Sequence, residues 1–191
     1  MTILLSEDDQ KQLLELAREA LNCKTRGENI PQPDLADYSP AVREKRACFV
    51  TLKKGSKLRG CVGCLEARQP LVYEVRDRAV AAGYQDFRFP PVQAEELPQI
   101  TIEISYLSPP EPLVYQNPEE LVEKLNPGVD GVVLARGNRK ATFLPQVWEQ
   151  LPAPEQFLSR LCLKMGEQPQ AWQEKHFIVK TYQVEKFREP D

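Results

Sequence analysis

Arg59 and Cys61 stand two residues apart in Leu58-Arg59-Gly60-Cys61-Val62-Gly63. The thiolate is the reactive form of cysteine, and a neighbouring guanidinium favours it over the thiol. Residues two apart on a strand share a face. Read as a strand, Leu58–Leu65 puts Arg59, Cys61 and Gly63 on one side and Leu58, Gly60, Val62 and Cys64 on the other. Gly60 and Gly63 leave room for another backbone or a ligand to come close. Two readings stand side by side. Cys61 is a nucleophile or part of a binding site, or it is a small buried cysteine whose glycines serve a bulge.

Three further positions could join it. Ile100 to Leu107 alternates, so Glu103 and Ser105 fall on the polar face of a strand. Glu103 can pair with Arg59 or act as a general base, or the face is simply solvated. Asp86 and Arg88 frame the loop Asp86-Phe87-Arg88-Phe89-Pro90-Pro91, either as ligand contacts or as an ion pair that pins the loop. Phe87 and Phe89 are expected to be core anchors. The expected cluster is therefore Cys61, Arg59 and Glu103 for chemistry, with Gly60, Gly63, Ser105, Asp86 and Arg88 around the ligand.

Cys61-Val62-Gly63-Cys64 is also a Cys-x-x-Cys, the spacing of a redox pair or half a zinc site. No second pair exists, and His176 is the sole histidine. In a strand the two thiols point to opposite faces. Neither a structural metal nor a disulfide is expected, and His176 is read as structural.

The elements that must position these groups can be traced along the chain. Ser6 caps a helix carrying Leu13, Leu14, Ala17, Ala20 and Leu21 at helical spacing. Residues 27–40 form a loop. Ala47–Leu52 and Leu58–Leu65 form a hairpin turning at Gly55. Pro70 opens a helix that Gly83 ends, and the 100–107 strand follows. A short helix begins at Asn117. Gly131–Ala135 and Ala141–Leu144 make a second hairpin, Pro154–Met165 a helix capped by Gly166, and Phe177–Phe187 a last strand. The order hairpin, helix, strand thus occurs twice, by duplication or by recurrence of a common unit. No flexible linker parts the halves, so one domain over 1–191 is expected. Its subdomains would be about 47–111 and 1–46 plus 112–191.

The length of 191 residues suits one domain or two small lobes. A net charge of -3 leaves no basic footprint, which argues against nucleic acid as partner. No apolar run approaches the ~20 residues of a membrane helix. Met1–Leu5 is too short and wrongly flanked for a signal peptide. Five cysteines, an odd number, read as reduced thiols in a cytoplasm.

Several stretches together resemble one family. They are Phe49-Val50-Thr51-Leu52, Leu58-Arg59-Gly60-Cys61-Val62-Gly63, Arg88-Phe89-Pro90-Pro91 and Ser105-Tyr106-Leu107-Ser108-Pro109-Pro110-Glu111-Pro112. Asp130-Gly131, Phe143-Leu144-Pro145-Gln146-Val147-Trp148, Phe157-Leu158 and Lys164-Met165-Gly166 continue the series. In this order they look like the AMMECR family, whose bacterial and archaeal members are called AmmeMemoRadiSam system protein A. Cys64 departs from the family's signature, where Thr or Ser is expected. The resemblance implies an α+β fold of two unequal subdomains with antiparallel sheets, flanking helices and a cleft between them. It implies a site containing Cys61, and association with Memo-like and radical-SAM proteins. It names no reaction and no cofactor. An enzyme component using Cys61 on a small molecule or modified peptide is one functional expectation; a non-catalytic adaptor recognising a protein partner is the other.

Overall fold

Ser6 begins the first helix, α1 (Glu7–Arg26). Its hydroxyl accepts from the Asp9 N–H, and Asp9 answers by accepting from the Ser6 N–H, which satisfies orphan donors of the first turn. Gly27 stops the helix in the left-handed region at φ 72°. The structure, a computed structural model, describes residues 5–190. Apart from Leu5, the stretch weighed as a signal peptide lies outside them.

The described chain divides into two units, residues up to Ser108 together with those from Glu185 onward, and Pro109–Val184. The first unit continues from α1 with a single helical turn, α2 (Pro40–Arg43), and the hairpin strands β1 (Ala47–Lys54) and β2 (Lys57–Gly63). Gly55 takes φ 61° in the turn between them, which a residue with a Cβ adopts only under strain. Helix α3 (Leu71–Tyr84) and strand β3 (Ile100–Leu107) follow. The expected grouping of 1–46 with 112–191 does not describe this molecule. Helix α1 packs on α3 and β3, because the Leu13, Leu16, Ala17 and Leu21 stripe is buried in the core of the first sheet.

The second unit holds a two-residue strand β4 (Glu111–Pro112), helix α4 (Pro118–Lys124), the hairpin β5 (Gly131–Arg136) and β6 (Arg139–Phe143), helices α5 (Pro154–Lys164) and α6 (Ala171–Glu174), and β7 (Ile178–Tyr182). The last strand, β8 (Val184–Arg188), returns to the first sheet. The single closing strand expected over 177–187 is thus two strands in two sheets, broken at Gln183.

The sheets run β2-β1-β3-β8 and β6-β5-β7-β4. Each reads second hairpin strand, first hairpin strand, the strand after the helix, then one addition. The twofold recurrence in the sequence is a recurrence of topology, and the fold is α+β with hairpins in both sheets pairing antiparallel.

Val50, Leu52, Ile102 and Ile104 form the inner face of the first sheet, against Leu71, Val72, Val75 and Ala79 of α3. Full burial of each such aliphatic side chain contributes about 1.5–3 kcal/mol. Gly83 does not end α3, which runs to Tyr84. It lies where a Cβ would meet the Leu21 side chain at 2.8 Å. In the second unit Trp148 stacks on Phe157 with ring centres 3.7 Å apart. His176 stacks on Tyr115, whose hydroxyl bridges the Phe177 backbone.

Candidate functional site

Opposed residues of antiparallel neighbours share a face. Thr51 pairs with Cys61 on one side and Glu103 on the other, so Cys61, Thr51 and Glu103 form one row across β2, β1 and β3. Phe49 pairs with Gly63 and Ser105, which makes the next row. Both rows alternate with the buried Val50 and Leu52, and so lie on the sheet's outer face. The structure therefore brings Cys61, Glu103 and Ser105 together as the spacing predicted.

Arg59 breaks the count. The pairing of β1 with β2 slips between Leu52 and Lys53, so that Leu52 faces Gly60 while Lys53 faces Leu58. Arg59 is the extra residue of a β-bulge. Its guanidinium does not reach Glu103. It forms a two-point pair with Glu96, Nε to Oε1 at 3.0 Å and Nη2 to Oε2 at 2.9 Å, and Nη2 also donates to the Pro90 carbonyl at 2.9 Å. The Arg59 pair holds the Glu96 carboxyl down at about 2. Glu103 is taken by Lys53 at 2.8 Å. The expected Arg59–Glu103 pair is thus replaced by two others, since the bulge turns Arg59 out of the alternation.

Asp86 and Arg88 do meet the site. Cys61 donates its backbone N–H to Asp86 Oδ2 at 2.8 Å. Because β2 is an edge strand, this N–H has no strand to pair with, and the carboxylate satisfies it. The same carboxylate accepts from Arg88 Nε at 2.8 Å and Nη2 at 2.7 Å. The Arg88 guanidinium, first among these partners, holds the buried Asp86 carboxyl far below the usual carboxylate range. Asp86 in turn raises the pKa of Arg88. Arg88 and the Cys61 N–H thus meet on one carboxylate, whereas Arg59 is held by Glu96. A second donor is Thr51, whose hydroxyl points to Cys61 Sγ at 3.3 Å.

The two glycines are filled from within the protein. A Cβ on Gly60 would lie 2.1 Å from the Ala82 carbonyl oxygen, so the bare backbone lets α3 close on β2. A Cβ on Gly63 would enter the Phe49 ring at 2.3 Å. Of the two readings of these glycines, close approach of protein atoms is the one realised. Phe87 is 96% exposed and anchors no core, contrary to expectation. Phe89 lies between guanidinium contacts, with the carbon of Arg88 5.5 Å and that of Arg59 5.9 Å from its ring centre.

Cys64 has the opposite surroundings. Its thiol donates to Glu74 Oε1 at 3.0 Å, beside Arg78 on the same oxygen at 2.6 Å. Burial, then the Glu74 contact, push its pKa up, and burial pushes Cys48 well up. The reading of the strand missed Thr51, Glu96, Phe89 and Glu74. Thr51 was not within reach, because the turn at Gly55 alone sets Val50 opposite Cys61 and only the bulge at Arg59 brings Thr51 there. Nor was Glu96, since it occupies a 3-10 helix (Ala94–Gln99) with no periodic signature.

Fold and site define an α+β protein of two four-stranded sheets, with a half-buried thiol on an edge strand beside a carboxylate-held arginine. The chain belongs to the AMMECR1 family, whose model matches residues 14–187. It is 37% identical over 191 residues to a protein of Methanothermobacter thermautotrophicus, covering 97% of this chain and 96% of that one. It is 36% identical over 200 residues to one of Thermofilum pendens, covering 97% and 92%. Among solved structures it is similar to the uncharacterized protein PH0010 from Pyrococcus horikoshii, with a TM-score of 0.75 and 33% identity, covering 97% of this chain and 93% of that one. No helix among the described residues is long and apolar enough to cross a membrane.

Proposed function

We propose that Cys61 is a ligand-binding or nucleophilic thiol acting on a small molecule or a modified peptide. The chain would work in the cytoplasm as protein A of an AmmeMemoRadiSam system, beside Memo-like and radical-SAM proteins. The observation that carries the reading is the convergence around one residue of Asp86 at its N–H, Arg88 on that same carboxylate and the Thr51 hydroxyl at its sulfur. A cation and a hydroxyl donor stabilise a thiolate, and a thiolate is the form that attacks. Asp86 fixes both the strand and the arginine, which makes it a positioning residue. Glu103, the carboxylate in the row of Cys61, is held by Lys53 in an ion pair.

The test is site-resolved alkylation of all five cysteines by iodoacetamide as a function of pH. Cys61 is expected to react faster near neutral pH than Cys64 or Cys48, and Arg88→Gln to slow it. A Cys61 no faster than Cys64 would remove the reading. An adaptor function has one observation of its own, the almost fully exposed ring of Phe87 in the loop that reaches Cys61. Unreactive Cys61 with Phe87-dependent capture of a purified Memo-like protein would favour it.

A further inference from the structure

Cys61-Val62-Gly63-Cys64 pairs two thiols by spacing, but the fold separates them. Cys61 Sγ meets the Thr51 hydroxyl on the outer face of the first sheet. The Cys64 thiol meets Glu74 of α3, the helix on the inner face. Cys48 of β1 is fully buried in that same core. Its carbonyl accepts from the Cys64 N–H at 3.0 Å. This bond extends the β1–β2 pairing one step past Phe49 and Gly63, and sets Cys48 opposite Cys64. Opposed antiparallel residues joined by backbone hydrogen bonds lie about 5.5 Å apart at Cα. A disulfide spans roughly 4.4–6.8 Å between the same atoms. Burial, then Glu74 and then Cys64 push the Cys48 thiol up, so the second sulfur is close enough to act on the first.

We propose that Cys48 and Cys64 form a redox-active dithiol, which a small-molecule disulfide closes into a bridge across the hairpin. The pair stands apart from the reading of Cys61 as a working thiol and holds or fails without it. All five cysteines are free in the structure, so the pair is seen in its reduced state. Cys64 is the entering thiol, because it is partly exposed while Cys48 is closed to solvent. Its sulfur attacks the oxidant's disulfide, one thiol of the oxidant leaves with the Cys64 proton, and a mixed disulfide stands on Cys64. Cys48 then attacks the Cys64 sulfur, and the second thiol leaves with the Cys48 proton. The protein gives up two protons and two electrons, and the oxidant's disulfide takes them up as two thiols. Closure gives up the hydrogen bonds of the Cys64 thiol to Glu74 and to the Glu66 carbonyl. It does not orphan the buried Glu74, since Arg78 stays on the same oxygen at 2.6 Å. Both thiols are raised in pKa, so the exchange is slow and has to be followed to equilibrium.

The test is incubation of the native full chain with excess oxidised glutathione to equilibrium. Remaining thiols are then labelled with iodoacetamide in denaturant, and the bridges are mapped by mass spectrometry of peptides. The expected product joins the Cys48 peptide to the Cys64 peptide, carries no glutathione on Cys64, and opens again in dithiothreitol. Cys61 and Cys64 share the stretch Gly60–Arg68, so fragmentation assigns the bridge to one or the other. A bridge between Cys61 and Cys64 overturns the proposal, as does glutathione that stays on Cys64. A Cys64 that remains a free thiol at equilibrium overturns it as well. Cys48→Ala removes the second thiol and keeps a small apolar side chain in the core. It should turn the bridge into a lasting glutathione adduct on Cys64, from almost none in the wild type to most of the protein. A Cys64 as free of glutathione in this variant as in the wild type would mean that Cys48 does not resolve it, and would overturn the proposal. Should the variant fail to fold, the wild-type map decides alone.

Discussion

The two units build the same sheet and use it differently. In each, a helix follows the hairpin, and an acidic residue just past the helix reaches back to the hairpin. In the first unit Asp86 receives the Cys61 N–H and the Arg88 guanidinium. In the second, Glu167 receives Arg139 from β6 and Lys175, with Arg136 near by. The acceptor is alike, but only the first unit gives it an edge-strand N–H beside a thiol. In each hairpin a glycine also lies under an aromatic ring, Gly63 under Phe49 of the paired hairpin strand and Gly131 under Tyr182 of β7. What separates the units is Gly60, which admits α3 close enough for the loop after it to touch β2. Topology is shared, and chemistry comes from one close approach.

The largest expected effect follows from that approach. In Gly60→Ala the new methyl would lie 2.1 Å from a backbone oxygen that cannot rotate away. A loss of about 3 kcal/mol or more is expected in chemical denaturation, at the upper end for a single methyl because helix and strand must part. Gly131→Ala meets a ring that can shift, so it should cost less. Equal costs would mean that α3 does not depend on Gly60.

Next comes the carboxylate. Asp86→Asn places an amide where one group accepts from both Cys61 N–H and Arg88. A cost of about 1–3 kcal/mol is expected for the buried donors left poorly matched. Cys61 alkylation should change with it, as Arg88 is released. Glu167→Gln, in the other unit, should cost less and leave Cys61 alkylation as it was. A Cys61 rate indifferent to Asp86→Asn would mean that the loop is a staple only.

The hairpin, its turn at Gly55, the outward facing of Cys61 and Glu103, and the capped first helix were legible from alternation, turn chemistry and Ser6. These rest on local rules. The Arg59 pairing was not, because a bulge adds one residue without any mark in the pattern of apolar and polar types, and every inference beyond it shifts by one. Phe87 and Phe89 have the same residue type and opposite fates. Only the fold around Arg59 and Arg88 distinguishes the exposed ring from the one between guanidiniums. The grouping of α1 likewise depends on which of two available cores its stripe meets, and that is decided by contacts far apart in sequence.

The Arg59–Glu96 pair sharpens the comparison through pH. The folded pKa of Glu96 is depressed to about 2 from its ordinary 4.5. Its contribution is therefore present above the unfolded value and is lost as pH falls toward the folded one. Glu96→Gln should be less stable than the wild type at neutral pH by about 1 kcal/mol, a value discounted for partial exposure. The two stability curves should converge on acidification through this window. A difference that stays constant with pH would show that the pair contributes by shape and not by charge.

The smallest effect is expected at Thr51, the middle of the row that joins Cys61 to Glu103. Thr51→Val keeps the branched shape a strand favours and removes only the hydroxyl. Stability should stay within about 0.5 kcal/mol of the wild type, as no other partner of the hydroxyl is left buried. The hydroxyl donates to Cys61 Sγ at 3.3 Å, and a donor favours the charged sulfur over the neutral one. Without it, alkylation of Cys61 near neutral pH should slow by about two- to threefold, less than the loss from Arg88→Gln, since a neutral donor acts more weakly than a cation. Cys64, just past the end of β2 and bonded to Glu74, serves as the internal control and should not change. Slowing at both thiols would trace the effect to the sheet as a whole. Slowing at Cys61 alone ties it to the one hydroxyl and confines the thiol's chemistry to the outer face.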